Sequence, residues 1–156
     1  IATAVAAKPN PDLVIMARTD ALASEGMAAT IERASAYVAA GADMIFFEAA
    51  TTLQEYSQFC QAISVPVLAN CTEFGETPSL GRAALAQAGV AMVLYPLTAF
   101  RAMSFAADQV YHTLIEQDSQ SGLLNTLQTR DQLYKHLGYD RFEQQQDQQH
   151  QGDVHE

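Results

Sequence analysis

The sequence predicts a parallel α/β fold, and three observations carry that reading. Four short runs, beginning near residues 13, 44, 67 and 91, are apolar almost throughout, the pattern of strands covered on both faces. Each run stops at polar residues, and helical stretches with one apolar face lie between them. Two segments also repeat one another, Val38-Ala39-Ala40-Gly41-Ala42-Asp43-Met44-Ile45 and Ala86-Gln87-Ala88-Gly89-Val90-Ala91-Met92-Val93. Each is a helix end, a glycine stop and a buried strand. Alternating βα units mean a parallel sheet, either open and doubly wound or closed into a barrel. No GxGxxG or P-loop opens any helix, so a nucleotide-binding sheet loses ground and the closed barrel is preferred.

The elements follow in order. Ile1 to Lys8 reads as the last turns of a helix, ended by Pro9-Asn10-Pro11-Asp12, where proline blocks continuation. The first strand, 13–18, gives way to Arg18-Thr19-Asp20. Ser24 is the candidate cap of a helix whose stripe is Met27, Ile31, Ala34 and Val38, stopped by Gly41. Strand 44–48 ends on Glu48. Thr52 is placed to cap a helix with Leu53, Tyr56, Cys60 and Ile63 on one face. Val65-Pro66 leads into strand 67–71, which ends at Asn70-Cys71-Thr72-Glu73. A loop with Gly75 and Pro78 precedes a helix near 80–88. Strand 91–95 ends at Pro96, and a long helix follows with Met103, Ala107, Val110 and Leu114 on one face. The organisation expected is therefore barrel units over 1–115, a helical extension over 116–143 carrying Leu123, Leu127, Leu133 and Leu137, and a disordered polar tail over 144–156.

Composition narrows the function. The 156 residues hold 18 acidic against 8 basic side chains, a formal charge of −10, which argues against nucleic acid or an anionic membrane surface as partner. No apolar run approaches the roughly 20 residues of a bilayer span, and no secretory signal pattern is visible; cytoplasm is the default expectation. Cys60 and Cys71 have no CxxC partner, so neither a disulfide framework nor a zinc site is expected. His112, His136, His150 and His155 have no spaced partner for metal ligation.

In a β/α barrel the chemistry sits at the C-terminal ends of the strands. Those ends carry Arg18 and Asp20, then Glu48, then Asn70, Thr72 and Glu73, with Arg101 just past the last strand. One such residue reads as a loop-solvating group; four strand ends in succession read as a binding site. Arg18 and Arg101 offer planar charged forks for carboxylate or phosphate oxygens. Glu48 suits a substrate hydroxyl or action through a metal-bound water, and Asn70 and Thr72 orient without adding charge. The pocket described is one for a small polyanion bearing a hydroxyl. Cys71 alternates with Asn70 and Thr72 along the strand, so its side chain points away from theirs and packs.

The segments Val14-Ile15-Met16-Ala17-Arg18-Thr19-Asp20-Ala21, Ala69-Asn70-Cys71-Thr72-Glu73-Phe74-Gly75 and Leu94-Tyr95-Pro96-Leu97-Thr98-Ala99-Phe100-Arg101-Ala102-Met103 resemble the isocitrate lyase/phosphoenolpyruvate mutase superfamily, most nearly its 2-methylisocitrate lyase branch. Leu127-Gln128-Thr129-Arg130 with Leu133-Tyr134 resembles the C-terminal region of that branch. The resemblance covers about residues 1 to 143. It implies the C-terminal half of a (β/α)8 TIM-type barrel with appended helices, beginning near the helix before the fifth strand. It implies a Mg²⁺-dependent carbon–carbon lyase that cleaves the tricarboxylate 2-methylisocitrate to pyruvate and succinate in propionate catabolism, working as a cytoplasmic homotetramer. By motif, Arg18, Glu48, Asn70, Thr72, Arg101 and Arg130 contact the substrate, with Cys71 contributing through its backbone. The family's metal-binding aspartates and its Lys-Lys-Cys-Gly-His loop have no counterpart in this chain. Neither catalytic nor metal residues are therefore expected here, and the piece alone is expected to be inactive. Phe47 stands where close relatives carry proline, and Cys71 where they carry an aliphatic residue. Isocitrate lyase, oxaloacetate decarboxylase and phosphonate enzymes of the superfamily remain alternatives, as does a truncated, non-catalytic barrel subunit.

Overall fold

The computed structural model describes residues 1–75 and 77–152. In chain order these form α1 (Ala2–Ala6), β1 (Met16–Thr19), α2 (Leu22–Ala39), β2 (Met44–Phe47), α3 (Leu53–Ala62), β3 (Val67–Asn70), α4 (Arg82–Gln87), β4 (Met92–Leu94) and α5 (Thr98–Gln117). A 3-10 turn (Ser121–Thr126), α6 (Arg130–Leu137) and α7 (Tyr139–Gly152) follow. Two compact units result, Ile1–Met103 and the remainder from Ser104.

In the first unit the strands lie in the order β1-β2-β3-β4 and every neighbouring pair is parallel. The order runs in sequence without reversal, so these strands contain no switch point of a doubly wound sheet. The register aligns Thr19 with Phe47, Phe47 with Ala69 and Ala69 with Val93. That row and the row Ala17, Ile45, Val67 carry the buried side of the sheet, with Ala17, Thr19, Ile45, Phe47, Val67 and Ala69 all buried. The core is sealed by α3. Phe47 stacks on Phe59 with centroids 3.9 Å apart and meets Tyr56 edge-on at 5.5 Å. Phe59 was not on the face assigned to this helix from its sequence.

Local chemistry explains the boundaries. Thr52 caps α3: its hydroxyl accepts from the Glu55 amide at 3.2 Å and Glu55 accepts from the Thr52 amide at 2.9 Å, a reciprocal box. The expected cap at Ser24 is not formed. α2 begins at Leu22 after Ala21 and bends at Gly26, whose φ is 78°, because glycine interrupts the helix before the apolar stripe starts. β1 begins three residues late, at Met16, where pairing with Met44 starts. Before it, the Ile15 amide donates to the Asp43 carboxylate at 2.7 Å, and that carboxylate also pairs with Lys8 at 2.5 Å. Both repeated glycine stops occur as expected, with φ of 96° at Gly41 and 97° at Gly89.

Both edge strands expose apolar side chains: Leu13 and Val14 beside β1, Met92 and Leu94 on β4. α5 buries none of its residues, so Met103, Ala107, Val110 and Leu114 form a stripe without a covering layer among the described residues. In the second unit Leu127 and Leu133 are exposed and Leu123 is half-buried. Residues 144–152 continue α7. Glutamine is a good helix former, and a helix already nucleated at Tyr139 extends at low cost. Residues 153–156 lie outside the described residues.

A β-carbon on Gly89 would sit 2.8 Å from the Cys60 β-carbon, on a backbone with φ of 97°. Gly89→Ala is therefore expected to destabilise the chain by about 1–3 kcal/mol, and Phe47→Ala by about 3–5 kcal/mol. Chemical denaturation followed by circular dichroism measures both. Unchanged midpoints contradict the packing described.

Candidate functional site

The register that buries one face of the sheet also sorts the polar residues at its C-terminal ends. Arg18 pairs with Phe46 and Asn70 with Leu94. Glu48 and Thr72 lie two positions beyond Phe46 and Asn70, so the period of two puts Arg18, Glu48, Asn70 and Thr72 on the same side. Cys71 falls on the other, where it packs against the core.

A chain of hydrogen bonds crosses the strand ends. The Thr72 hydroxyl donates to Asn70 Oδ1 at 3.1 Å, and Asn70 Nδ2 donates to Glu48 Oε2 at 3.3 Å. Arg18 Nη2 lies 3.3 Å from that same oxygen. Arg18 also grips Asp20 through Nε and Nη2, at 3.0 and 2.7 Å, and its guanidinium rests on the Phe46 ring, 4.8 Å from the centroid. The Asp20 contact holds Arg18 more firmly in its charged form, against a modest desolvation penalty, and Glu48 adds to it. The same hydrogen bond holds the Asp20 carboxyl below the usual carboxylate range. These residues, with Ala49, Gly75 and Thr77, line a cavity of about 270 Å³. Ala49 turns the chain away just after Glu48 with a φ of 67°, a left-handed conformation that costs a non-glycine residue roughly 1–2 kcal/mol.

A second cavity of about 390 Å³ adjoins it, sharing Thr72 and Thr77 and lined further by Cys71, Glu73, Phe74 and Thr98. Here sequence reasoning missed a pair. Thr98, opening α5, donates a short hydrogen bond to Glu73, which holds the Glu73 carboxyl below its ordinary range, with Arg101 adding to the effect. Arg101 lies against this carboxylate at 3.9 Å and over the Phe74 ring at 5.1 Å. Of the residues singled out from sequence, Arg18, Glu48, Asn70 and Thr72 thus converge. Cys71 and Arg101 lie at the neighbouring cavity and its rim. Arg130 belongs to the second unit, where it opens α6 behind the Thr129–Gln132 capping box.

Among the described residues no group of three or more His, Cys, Asp or Glu is arranged to hold a metal ion. Asp20 and Glu48 both direct oxygens to Arg18. Among the described residues no helix is long and apolar enough to cross a membrane.

The sequence matches the phosphoenolpyruvate phosphomutase family over residues 1–115, most of the chain. The chain belongs to that family. It is 54% identical over 147 residues to the 2-methylisocitrate lyase of Escherichia coli K12, covering 94% of this chain and 50% of the relative. The 2-methylisocitrate lyase of Bacillus subtilis 168 is 44% identical over 133 residues, covering 85% of this chain and 44% of the relative. Two solved structures share the architecture. A 2,3-dimethylmalate lyase superposes with a TM-score of 0.77 at 28% identity, covering 88% of this chain and 48% of that one. A phosphonopyruvate hydrolase in complex with oxalate and Mg²⁺ gives 0.74 at 26%, covering 91% and 51%. The chain spans about half the length of the curated relatives it matches, and its fold is half of a parallel β/α barrel of this phosphoenolpyruvate phosphomutase family.

Burial pushes the Cys60 thiol up to about 11 and raises the Cys71 thiol as well. Both are therefore protonated near neutral pH and are poor nucleophiles. The folded state holds the Cys60 proton more tightly than the unfolded chain. That contribution to stability is present below the ordinary thiol pKa and is lost as pH rises toward about 11. Iodoacetamide at pH 8 is expected to modify both cysteines slowly, with the Cys60 rate climbing toward pH 11. Mass spectrometry of timed samples checks this. Rapid labelling at pH 8 contradicts the packing role.

Proposed function

We propose that this chain is the substrate-anchoring, C-terminal half of a carbon–carbon lyase that cleaves 2-methylisocitrate to pyruvate and succinate. The observation that carries the reading is the strand-end ladder Arg18–Glu48–Asn70–Thr72. It is supported by 54% identity to a 2-methylisocitrate lyase, against 28% to the 2,3-dimethylmalate lyase structure.

Each residue has a task that its chemistry suits. Arg18 binds a substrate carboxylate through charge-assisted hydrogen bonds. Glu48, already fixed by Asn70 and Arg18, accepts the substrate hydroxyl and orients it. Thr72 and Asn70 supply neutral hydrogen bonds, and the Cys71 backbone belongs to the same wall. Arg101 serves a further carboxylate of the tricarboxylate. When the hydroxyl loses its proton, the carbon that bears it becomes the ketone of pyruvate. The electron pair of the broken carbon–carbon bond stays on the succinate fragment, which is then reprotonated.

The remaining parts of the proposal lie outside this chain. The acid and base groups and the Mg²⁺ ligands come from the other half of the barrel; bound there, Mg²⁺ would stabilise negative charge developing on oxygen. The chain alone is inactive. The assembled protein is a cytoplasmic homotetramer of the methylcitrate cycle, with the exposed leucines of the second unit buried between subunits.

Pyruvate release from 2-methylisocitrate, coupled to lactate dehydrogenase, tests this. The chain with Mg²⁺ is expected to show none, and joining it to an N-terminal half of the family type restores turnover. Arg18→Ala in the joined enzyme is expected to lower kcat/KM by about ten- to a hundredfold, the loss of one charge-assisted contact. Turnover by the chain alone overturns the half-site argument. Full activity after Arg18→Ala removes that residue from the substrate site.

A further inference from the structure

Arg18 is the cation of the strand-end pocket, yet its fork is already occupied. Nε and Nη2 donate to the two oxygens of Asp20, the bidentate geometry that a carboxylate ligand takes on arginine. Glu48 Oε2 lies 3.3 Å from Nη2 as well. Among the described residues, one positive and two negative side chains therefore share the pocket, and an incoming anion meets a surplus of negative charge.

We propose that Asp20 is an internal stand-in for a ligand carboxylate: it holds Arg18 in place over Phe46, and a carboxylate-bearing ligand displaces it from the fork. The inference rests on the reading of Arg18 as a carboxylate anchor and adds a specificity-determining residue to it. Two features distinguish Asp20 from Glu48. The Asp20 side chain is 61% exposed and Glu48 only 23%, so the Arg18–Asp20 pair is a surface ion pair of small net worth. Asp20 also lies beyond Thr19, the last residue of β1 paired with β2, and among the described residues its carboxylate is held by Arg18 alone. Glu48 is tied to Asn70 too. Exchange at Asp20 is therefore cheap, while Glu48 remains to receive a hydroxyl. Asp20 also sets a threshold: an anion with a single carboxylate gains little by replacing it, and a ligand that reaches Glu48, Asn70 and Thr72 as well gains more.

Isothermal titration of the chain with succinate, and with neutral succinamide as control, tests the exchange. Asp20→Asn keeps the shape of an exposed side chain and removes its charge; circular dichroism and the denaturation midpoint check its fold, with Asp20→Ala as second variant. Succinate is expected to bind Asp20→Asn at least about threefold more tightly than the parent, the scale of a surface ion pair. Succinamide is expected to show no gain, and Arg18→Ala in the same background to abolish it. Equal or weaker succinate binding by both Asp20 variants, with binding lost in Arg18→Ala alone, overturns the stand-in and leaves Arg18 as the anchor. Succinate binding that survives Arg18→Ala overturns the anchor and the stand-in with it. A chain in which no variant binds succinate overturns the stand-in as well, since a freed fork must take up a carboxylate.

Discussion

The parallel register of β1, β2 and β3 is the constraint on which the rest of the first unit depends. It fixes two faces at once. Thr19, Phe47 and Ala69 fall in one row and build the core with Phe59 and Tyr56. Because side chains alternate with a period of two, Arg18, Glu48, Asn70 and Thr72 are thereby left together on the other side. A slip of one residue in β2 would turn Glu48 toward the core and Phe47 toward solvent. The Phe47 stack and the hydrogen-bonded ladder are thus two consequences of one alignment, and the core stabilises the geometry of the site.

Charge works on a smaller scale. In a chain of net charge −10, Arg18 is held by Asp20 and Glu48, and Arg101 lies against Glu73. These contacts are largely exposed, so they contribute little to stability; what they do is orient the forks. The half-barrel also leaves work undone. Apolar side chains stand exposed on both sheet edges and along α5, and open strand edges of this kind invite pairing with another chain.

Much of this was legible in the sequence, for physical reasons that also mark where legibility stops. Apolar runs ending in polar residues gave the four strands, and Gly41 and Gly89 gave two helix ends, because only glycine readily adopts the φ required there. Thr52 announced its cap by its place just before an apolar helical face, whereas the answering bond from Glu55 was read only from the structure. Alternation along β3 separated Cys71 from its neighbours. Tertiary partners were harder to read. Asp43 decides where β1 begins by capping Ile15 from a distant segment, and Phe59 joins the core because it faces Phe47. The Glu73–Thr98 contact joins a loop to a helix start, and no local pattern encodes it.

The central claim is that the ladder at the ends of β1, β2 and β3 binds a carboxylate-bearing ligand. Heteronuclear NMR of the labelled chain titrated with succinate tests it most directly. The account requires saturable shifts centred on Arg18, Asn70 and Thr72, including the Arg18 Nε–H and Asn70 amide side-chain signals, with the Phe59 and Leu85 backbone signals unmoved. Saturable shifts confined to other surfaces, or none at the ladder, would contradict it.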